Sequence, residues 1–171
     1  WSKHHRNSAA SFLNTSYMML SAGLHEQAAL EATKTAALVA TATIGDAAEA
    51  GGLLATLYNN MGNKTRDVAS EMAHLGDVVT KTQQVFQHAN LEKFQEGMKY
   101  AIPTALQYGM KLEDVAGIIG QLNNAGRQGS QAGTSFAASM GKMIEASTKL
   151  GFKLAKASDG SLDFAGTLQN M

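Results

Sequence analysis

The stretch Asn123 to Phe136 reads NNAGRQGSQAGTSF, with glycine at 126, 129 and 133 and hydroxyl residues between them. Glycines mixed with serine and threonine are the material of a phosphate-cradling loop, in which free backbone N–H groups face an anion. The spacing argues against that chemistry. A Walker loop needs a second glycine five positions after the first, followed by Lys and Ser or Thr. Here that position is Gln131, and no lysine follows it. A dinucleotide fingerprint places glycines at offsets 0, 2 and 5 after a strand. This stretch has 0, 3 and 7, after IIGQLNNA, which reads as helix. The expectation is therefore a joint between two helices. Gly126 ends the first, Arg127 to Gly129 turn the chain, and Ser130 caps the next helix by accepting a backbone N–H. Ala132, Gly133 and Thr134 are small enough to let a neighbouring helix come close.

The other reactive side chains form no catalytic set. In GSQAG (129–133) the serine stands one place too early for a nucleophile elbow. His4 and His5 are adjacent near the start, while His25, His74 and His88 are isolated. HEQAA (25–29) lacks the second histidine of a zinc-protease helix. Glu113 and Asp114 are neighbours at a helix start, so they diverge and complement the helix dipole rather than pair as acid and base. The chain has no cysteine, which excludes disulfides and thiolate metal sites. The expectation is no catalytic residue, no cofactor-binding residue, no metal ligand and no enzyme activity.

Composition narrows the class further. The 171 residues carry 14 basic and 14 acidic side chains, for a net charge of zero. Sequence-independent nucleic-acid binding rests on a basic excess, and the few aromatics do not interleave with basic residues as a stacking platform would require. No apolar run approaches the roughly 20 residues of a membrane span. WSKHHRNSAASFLN makes a poor signal peptide, having a basic start but no apolar core. The first residue is Trp1, so the chain is expected to be a piece of a longer protein, with Trp1 to Asn7 a trimmed end or a linker.

Any side chain here must be positioned by helices, because the apolar spacing is helical almost throughout. Val68, Met72, Leu75, Val79, Thr82 and Phe86 share one helical face. Phe136, Met140, Met143, Ser147 and Leu150 share a second. Leu91, Phe94, Met98, Ile102 and Ala105 share a third, and Val115, Ile118, Ile119 and Leu122 a shorter fourth. Leu13, Tyr17, Leu20 and Leu24 predict a helix ending near Gly23. Segments 25–43 and 46–60 predict two more. TATIG and DVVT are the nearest approaches to strands, and both are short. The fold expected is all-α, a compact domain of six to seven helices joined by Gly-ended turns. Pro103 lies inside the third stripe and predicts a kink after Tyr100, or two short helices meeting there. Residues 1–24 are expected as an N-terminal helix or linker, and 25–171 as one helical domain. Most of the nine methionines lie on apolar faces and are expected to fill the core.

Gly62, Gly109 and Gly151 each follow an apolar run and predict left-handed helix ends. GNKTRDVASEMAHL (62–75) and GMKLEDVAGIIGQL (109–122) match at six of fourteen positions, 47 residues apart. A duplicated helical unit or recurring joint chemistry would each explain the match equally well.

Residues 98–136, MKYAIPTALQYGMKLEDVAGIIGQLNNAGRQGSQAGTSF, resemble the core motif of bacteriophage tail tape measure proteins. The motif is carried by Tyr100, Pro103, Ala105, Gly109, Glu113, Leu122, Asn124, Ala125, Gly126, Gly129, Ser130, Ala132, Gly133 and Thr134, in order. A looser likeness covers 43–171, including LGDVVTKTQQ before the motif and LGFKLAKASDGSLDF after it. Phe136 and Ala137 stand where the family often has Leu and a basic residue, and Lys111 where Ser or Thr commonly caps the helix.

The resemblance implies a structural part of a phage or prophage tail, one that occupies the tail tube during assembly and sets tail length. It implies a location in the virion, in the tail lumen, after synthesis in the bacterial cytoplasm. The partners implied are the tail tube protein, tail assembly chaperones and tail tip proteins, with self-association, and neither a small-molecule substrate nor a specific nucleic acid. The alternative reading is a helical interaction module that binds a partner helix or a membrane surface through Met-rich faces.

Overall fold

The structure, a computed structural model, describes residues 9–43, 45–86 and 90–170. The stretch Trp1 to Asn7, with His4 and His5, lies outside the described residues, as does His88. Eight helices are present among the described residues, so the all-α expectation holds. The chain divides into two units, Trp1–Leu91 and Glu92–Met171.

The first unit holds α1 (Ala9–Ser21), α2 (Glu26–Thr43), α3 (Ala47–Met61) and α4 (Val68–Val85). Helix α2 packs against the other three. Its buried face is Ala28, Ala29, Ala32, Ala36, Val39 and Ala40. Alanine keeps that face shallow, so neighbouring backbones come close. The larger apolar volume is supplied by Leu53, Leu54 and Leu57 of α3 and Met72, Leu75 and Val79 of α4, all buried. Each such side chain contributes on the order of 2 kcal/mol by leaving water.

Helix starts in this unit are set by local chemistry. The Asp46 carboxylate accepts from the Ala48 and Glu49 N–H groups at 2.8 and 3.2 Å. Asp67 accepts from Ser70 N–H at 3.0 Å. His25, isolated in the sequence, opens α2: its Nδ1 accepts from Ala28 N–H at 3.2 Å. Gly62 departs from expectation. Its φ is −66° and its ψ 140°, so the chain leaves α3 extended rather than left-handed. The Asn63 N–H can then donate to buried Glu71 at 2.8 Å. Arg66 pairs with the other Glu71 oxygen at 2.9 Å, and the Lys64 ammonium lies 3.1 Å above the Tyr58 ring.

Helix α1 buries a different face from the one its spacing predicts. Leu13, Tyr17 and Leu20 are 68, 70 and 47% exposed, while Thr15 and Met19 are buried. Packing against α3 decides this. A Cβ on Gly51 would stand 2.6 Å from the Met19 methyl and 3.0 Å from Thr15 Cγ2. The Thr15–Met19 edge of α1 thus seats against bare backbone, and the longer side chains are turned outward. The expected end near Gly23 is borne out: Leu24 N–H donates to Met19 C=O and Gly23 N–H to Leu20 C=O.

The second unit holds α5 (Leu91–Gln107), α6 (Leu112–Asn124), α7 (Ser130–Leu150) and the short α8 (Phe164–Gln169). All five residues of the α5 stripe are buried. Helix α5 continues unbroken through Pro103, so two short helices do not meet there. Pro103 and Lys99 both face solvent, and the Lys99 carbonyl freed by the proline can turn to water. On α6 the buried face is Leu112, Val115, Ala116, Ile119, Gly120 and Asn123, which leaves Ile118 and Leu122 only half-buried. On α7 Phe136, Met140 and Met143 are buried, whereas Leu150 is exposed.

The two similar segments, 62–75 and 109–122, fold differently at their starts. Asp67 is the N-cap of α4, while the matching Asp114 is already inside α6, whose N-cap is Lys111. Gly62 is extended and Gly109 left-handed. The matched residues hold different local roles, which favours recurring joint chemistry over a duplicated unit.

Candidate functional site: the joints around helix α6

Two of the motif's glycines end helices in the same way. Gly109 has φ +62° and Gly126 φ +84°, a region that side-chain-bearing residues rarely enter. After α5, Met110 N–H donates to Ala105 C=O and Gly109 N–H to Leu106 C=O. After α6, Arg127 N–H donates to Leu122 C=O and Gly126 N–H to Asn123 C=O. Both are Schellman ends, which satisfy carbonyls the helix itself leaves free. Gly126 therefore closes α6, as its place in NNAGRQG predicts.

The start of α7 corrects one expectation. Gly129, not Ser130, is the N-cap, with φ 58° and ψ −132°, and no side chain caps the helix. Ser130 is the first helical residue, and its carbonyl accepts from the Thr134 hydroxyl at 2.8 Å. The Glu96 carboxylate of α5 lies against Gly129, where any Cβ would collide with it. Lys93 reaches that carboxylate at 3.4 Å. The turn at Gly129 thus packs against Glu96, while the first α7 amides bond to backbone carbonyls, Gln131 N–H to Gln128 C=O and Ala132 N–H to Gly129 C=O.

Ala132 and Gly133, both buried, have the use expected of them, whereas Thr134 is exposed. A Cβ on Gly133 of α7 would meet the Gly97 carbonyl, and would stand 2.5 Å from Tyr100 Cβ and 3.3 Å from Ala101 N. A Cβ on Gly97 would stand 3.0 Å from Ile119 Cγ2 of α6 and 3.3 Å from the Gly129 carbonyl. Helices α5 and α7 meet at backbone distance around these two glycines, and the Ile119 side chain of α6 packs onto Gly97. Gly97 was not singled out in the sequence, although an isolated glycine inside a helical pattern is a packing signal. Arg127 ties the turn to α7 by donating to Ser135 Oγ at 2.9 Å. Asn123 Oδ1 is buried without a hydrogen-bond partner, and nothing in the structure explains it.

The segment after α7 returns to the α5–α6 joint, which no sequence pattern predicted. Gly151 is left-handed at φ 75° and closes α7. The chain then forms a tight turn: Lys156 and Leu162 make an isolated antiparallel bridge, and Asp159 Oδ1 accepts from the Ser161 N–H at 3.1 Å. Leu162 is buried, and its N–H donates to the Gly109 carbonyl at 3.3 Å. Lys111, which replaces the usual capping residue, makes no cap. Its ammonium instead pairs with Asp159 Oδ2 at 2.8 Å. That contact, together with the hydrogen bonds from Ser161, holds the Asp159 carboxyl well below the usual carboxylate range, and it raises the Lys111 ammonium. Asp114 is shifted the other way, upward, by burial and by the neighbouring Glu113. The Asp-Gly pair at 159–160 is the turn signal from which this hairpin could have been read.

Among the described residues, no group of three or more His, Cys, Asp or Glu side chains could hold a metal ion. No helix among them is long and apolar enough to cross a membrane. The arrangement is one of capped joints and close helix contacts.

The whole chain, residues 1–171, matches the family described as phage-related minor tail protein. The chain belongs to that family. It is 28% identical over 127 residues to the tape measure protein of Pneumococcus phage Dp-1, a match covering 74% of this chain and 11% of that protein. It is 32% identical over 90 residues to the probable tape measure protein of Escherichia phage P2, covering 48% of this chain and 11% of that one. The chain thus spans about a tenth of the length of these relatives. No solved structure gives a significant match. The resemblance read from residues 98–136 is therefore borne out, and three of its motif glycines, Gly109, Gly126 and Gly129, stand at the joints on either side of α6.

Proposed function

We propose that this chain is a folded segment of a tape measure protein, a non-catalytic part of a phage or prophage tail. In this reading the parent protein occupies the tail tube during assembly and sets tail length, and is made in the host cytoplasm. The observation that carries the proposal is the family match over the whole chain, joined to two relatives named as tape measure proteins. Its partners are then other tail components: the tube protein, assembly chaperones and tip proteins, with further copies of itself. Small molecules and specific nucleic acid are not among them. Family membership does not favour the alternative of a free-standing interaction module.

A ruler acts through its extended length. A single helix rises about 1.5 Å per residue, so 171 residues would span on the order of 250 Å. The Gly-ended joints instead fold the chain back on itself within each unit. The segment must therefore open or stretch to contribute its full length. In-frame deletion of residues 62–122 from the parent protein, followed by electron microscopy of tails, tests the role. Shortening on the order of 90 Å is expected if those residues count as extended helix. Tails of unchanged length would reject a measuring role for this segment.

A further inference from the structure

We propose that residues 152–169 form a detachable strap, latched onto the α5–α6 joint by the Lys111–Asp159 ion pair and opening while α5, α6 and α7 stay folded. The strap's internal bonds make it self-contained. Asp163 N–H donates to Ala155 C=O at 3.0 Å. Ala155 N–H donates to Thr167 Oγ1 at 2.9 Å, and Gly166 N–H to Asp163 Oδ1 at 2.8 Å. Its polar ties to the helical body include Leu162 N–H to Gly109 C=O at 3.3 Å and Lys111 Nζ to Asp159 Oδ2 at 2.8 Å. Of its side chains only Leu162 and Thr167 are fully buried, with Phe152, Leu154 and Phe164 half-buried. Both ion-pair partners are about half exposed, so salt reaches the latch, whereas Phe94, Met98, Ile119, Phe136 and Met140 between the helices are out of reach of water. Segments held by few buried contacts open locally, well below the free energy of global unfolding. The inference does not depend on the segment lying in a tube.

The geometry supplies a clean variant. Asp159 Oδ1 holds the turn through Ser161, while Oδ2 alone meets Lys111. Asp159→Asn keeps the first oxygen and removes the ion pair, and Lys111→Met removes the other partner. The test is amide hydrogen exchange on the 171-residue chain, read at Leu162 against Ile102, Ile119 and Met140. The expected result is roughly two- to fivefold faster exchange at Leu162 in either single variant, no further gain in the double variant, and no change at the three core amides. Added salt speeds Leu162 in the native chain by a similar factor and leaves the Asp159→Asn chain unaffected. The proposal is overturned if Leu162 exchanges only as slowly as Ile119, if it is unprotected in the native chain, or if the two single effects add. Where a variant speeds the core amides as well, the salt series on the native chain decides: unchanged exchange at Leu162 with added salt overturns the proposal.

Discussion

Gly133 of α7 lies directly against the Gly97 carbonyl of α5, with no room between them for a methyl group. This contact turns two glycines, each unfavourable to a helix, into a backbone-close approach of α7 to α5. Gly133→Ala would force the helices apart, at about 1–3 kcal/mol. Gly141, eight residues along the same helix, has nothing within 4 Å of a built Cβ. Gly141→Ala should stabilise by up to about 1 kcal/mol through helix propensity alone. Urea midpoints of the two variants should move in opposite directions. Movement in the same direction would mean that the helices do not meet at Gly133.

The buried Glu71 makes Arg66 worth more than its exposure suggests. Removing the guanidinium leaves a carboxylate, 3% exposed, hydrogen-bonded to the Asn63 N–H and with the Lys64 ammonium as its remaining cationic neighbour. Arg66→Ala should cost roughly 2–3 kcal/mol, below the range for a fully buried pair because Arg66 itself reaches solvent. In a Glu71→Gln background the same change should cost under about 1 kcal/mol. A double-mutant cycle by chemical denaturation measures the difference, and equal costs in both backgrounds would show that the charge is not what Arg66 serves.

Two aspartates at helix starts should respond to pH with opposite signs. Hydrogen bonds from Ser70 hold the folded Asp67 carboxyl below its ordinary value. Its contribution is therefore complete above the unfolded carboxylate range and is lost as pH falls below about 4. Burial and Glu113 raise Asp114, so its ionised form is disfavoured in the fold and it weakens the protein as pH rises through that raised value. Asp67→Asn should flatten the acid limb of a stability profile. Asp114→Asn should raise stability at neutral pH and leave it little changed in acid. NMR titration of the two carboxyls would show the displacements directly.

His25 should behave as a helix cap. Replacing it by alanine removes the acceptor for Ala28 N–H, at about 1 kcal/mol. Asparagine supplies another acceptor and should restore most of that. Thermal melts of the two variants decide between a capping role and simple packing, for which alanine and asparagine would be alike.

Much of this protein was legible before any coordinates. Helical periodicity marks seven of the eight helices, because one buried face repeated every three to four residues leaves a direct trace in residue type. Gly109 and Gly126 could be placed as helix ends for an equally local reason: a left-handed backbone admits little else. The motif of residues 98–136 pointed to the tail family, although no pattern of reactive groups pointed to any function. Other features depend on residues far apart in the chain. Which face of α1 is buried was decided by Gly51 on another helix, against the evidence of the leucines. Glycine is needed at 129 because Glu96, more than thirty positions upstream, packs against it. Lys111, out of place as a cap, found its use only when the turn at Asp159 was folded back beside it. Local sequence determined where helices begin, run and end, since those steps need only a few neighbouring residues. Tertiary structure decided which faces meet and which charges pair, since close packing and Coulomb attraction act between atoms that the order of residues does not bring together.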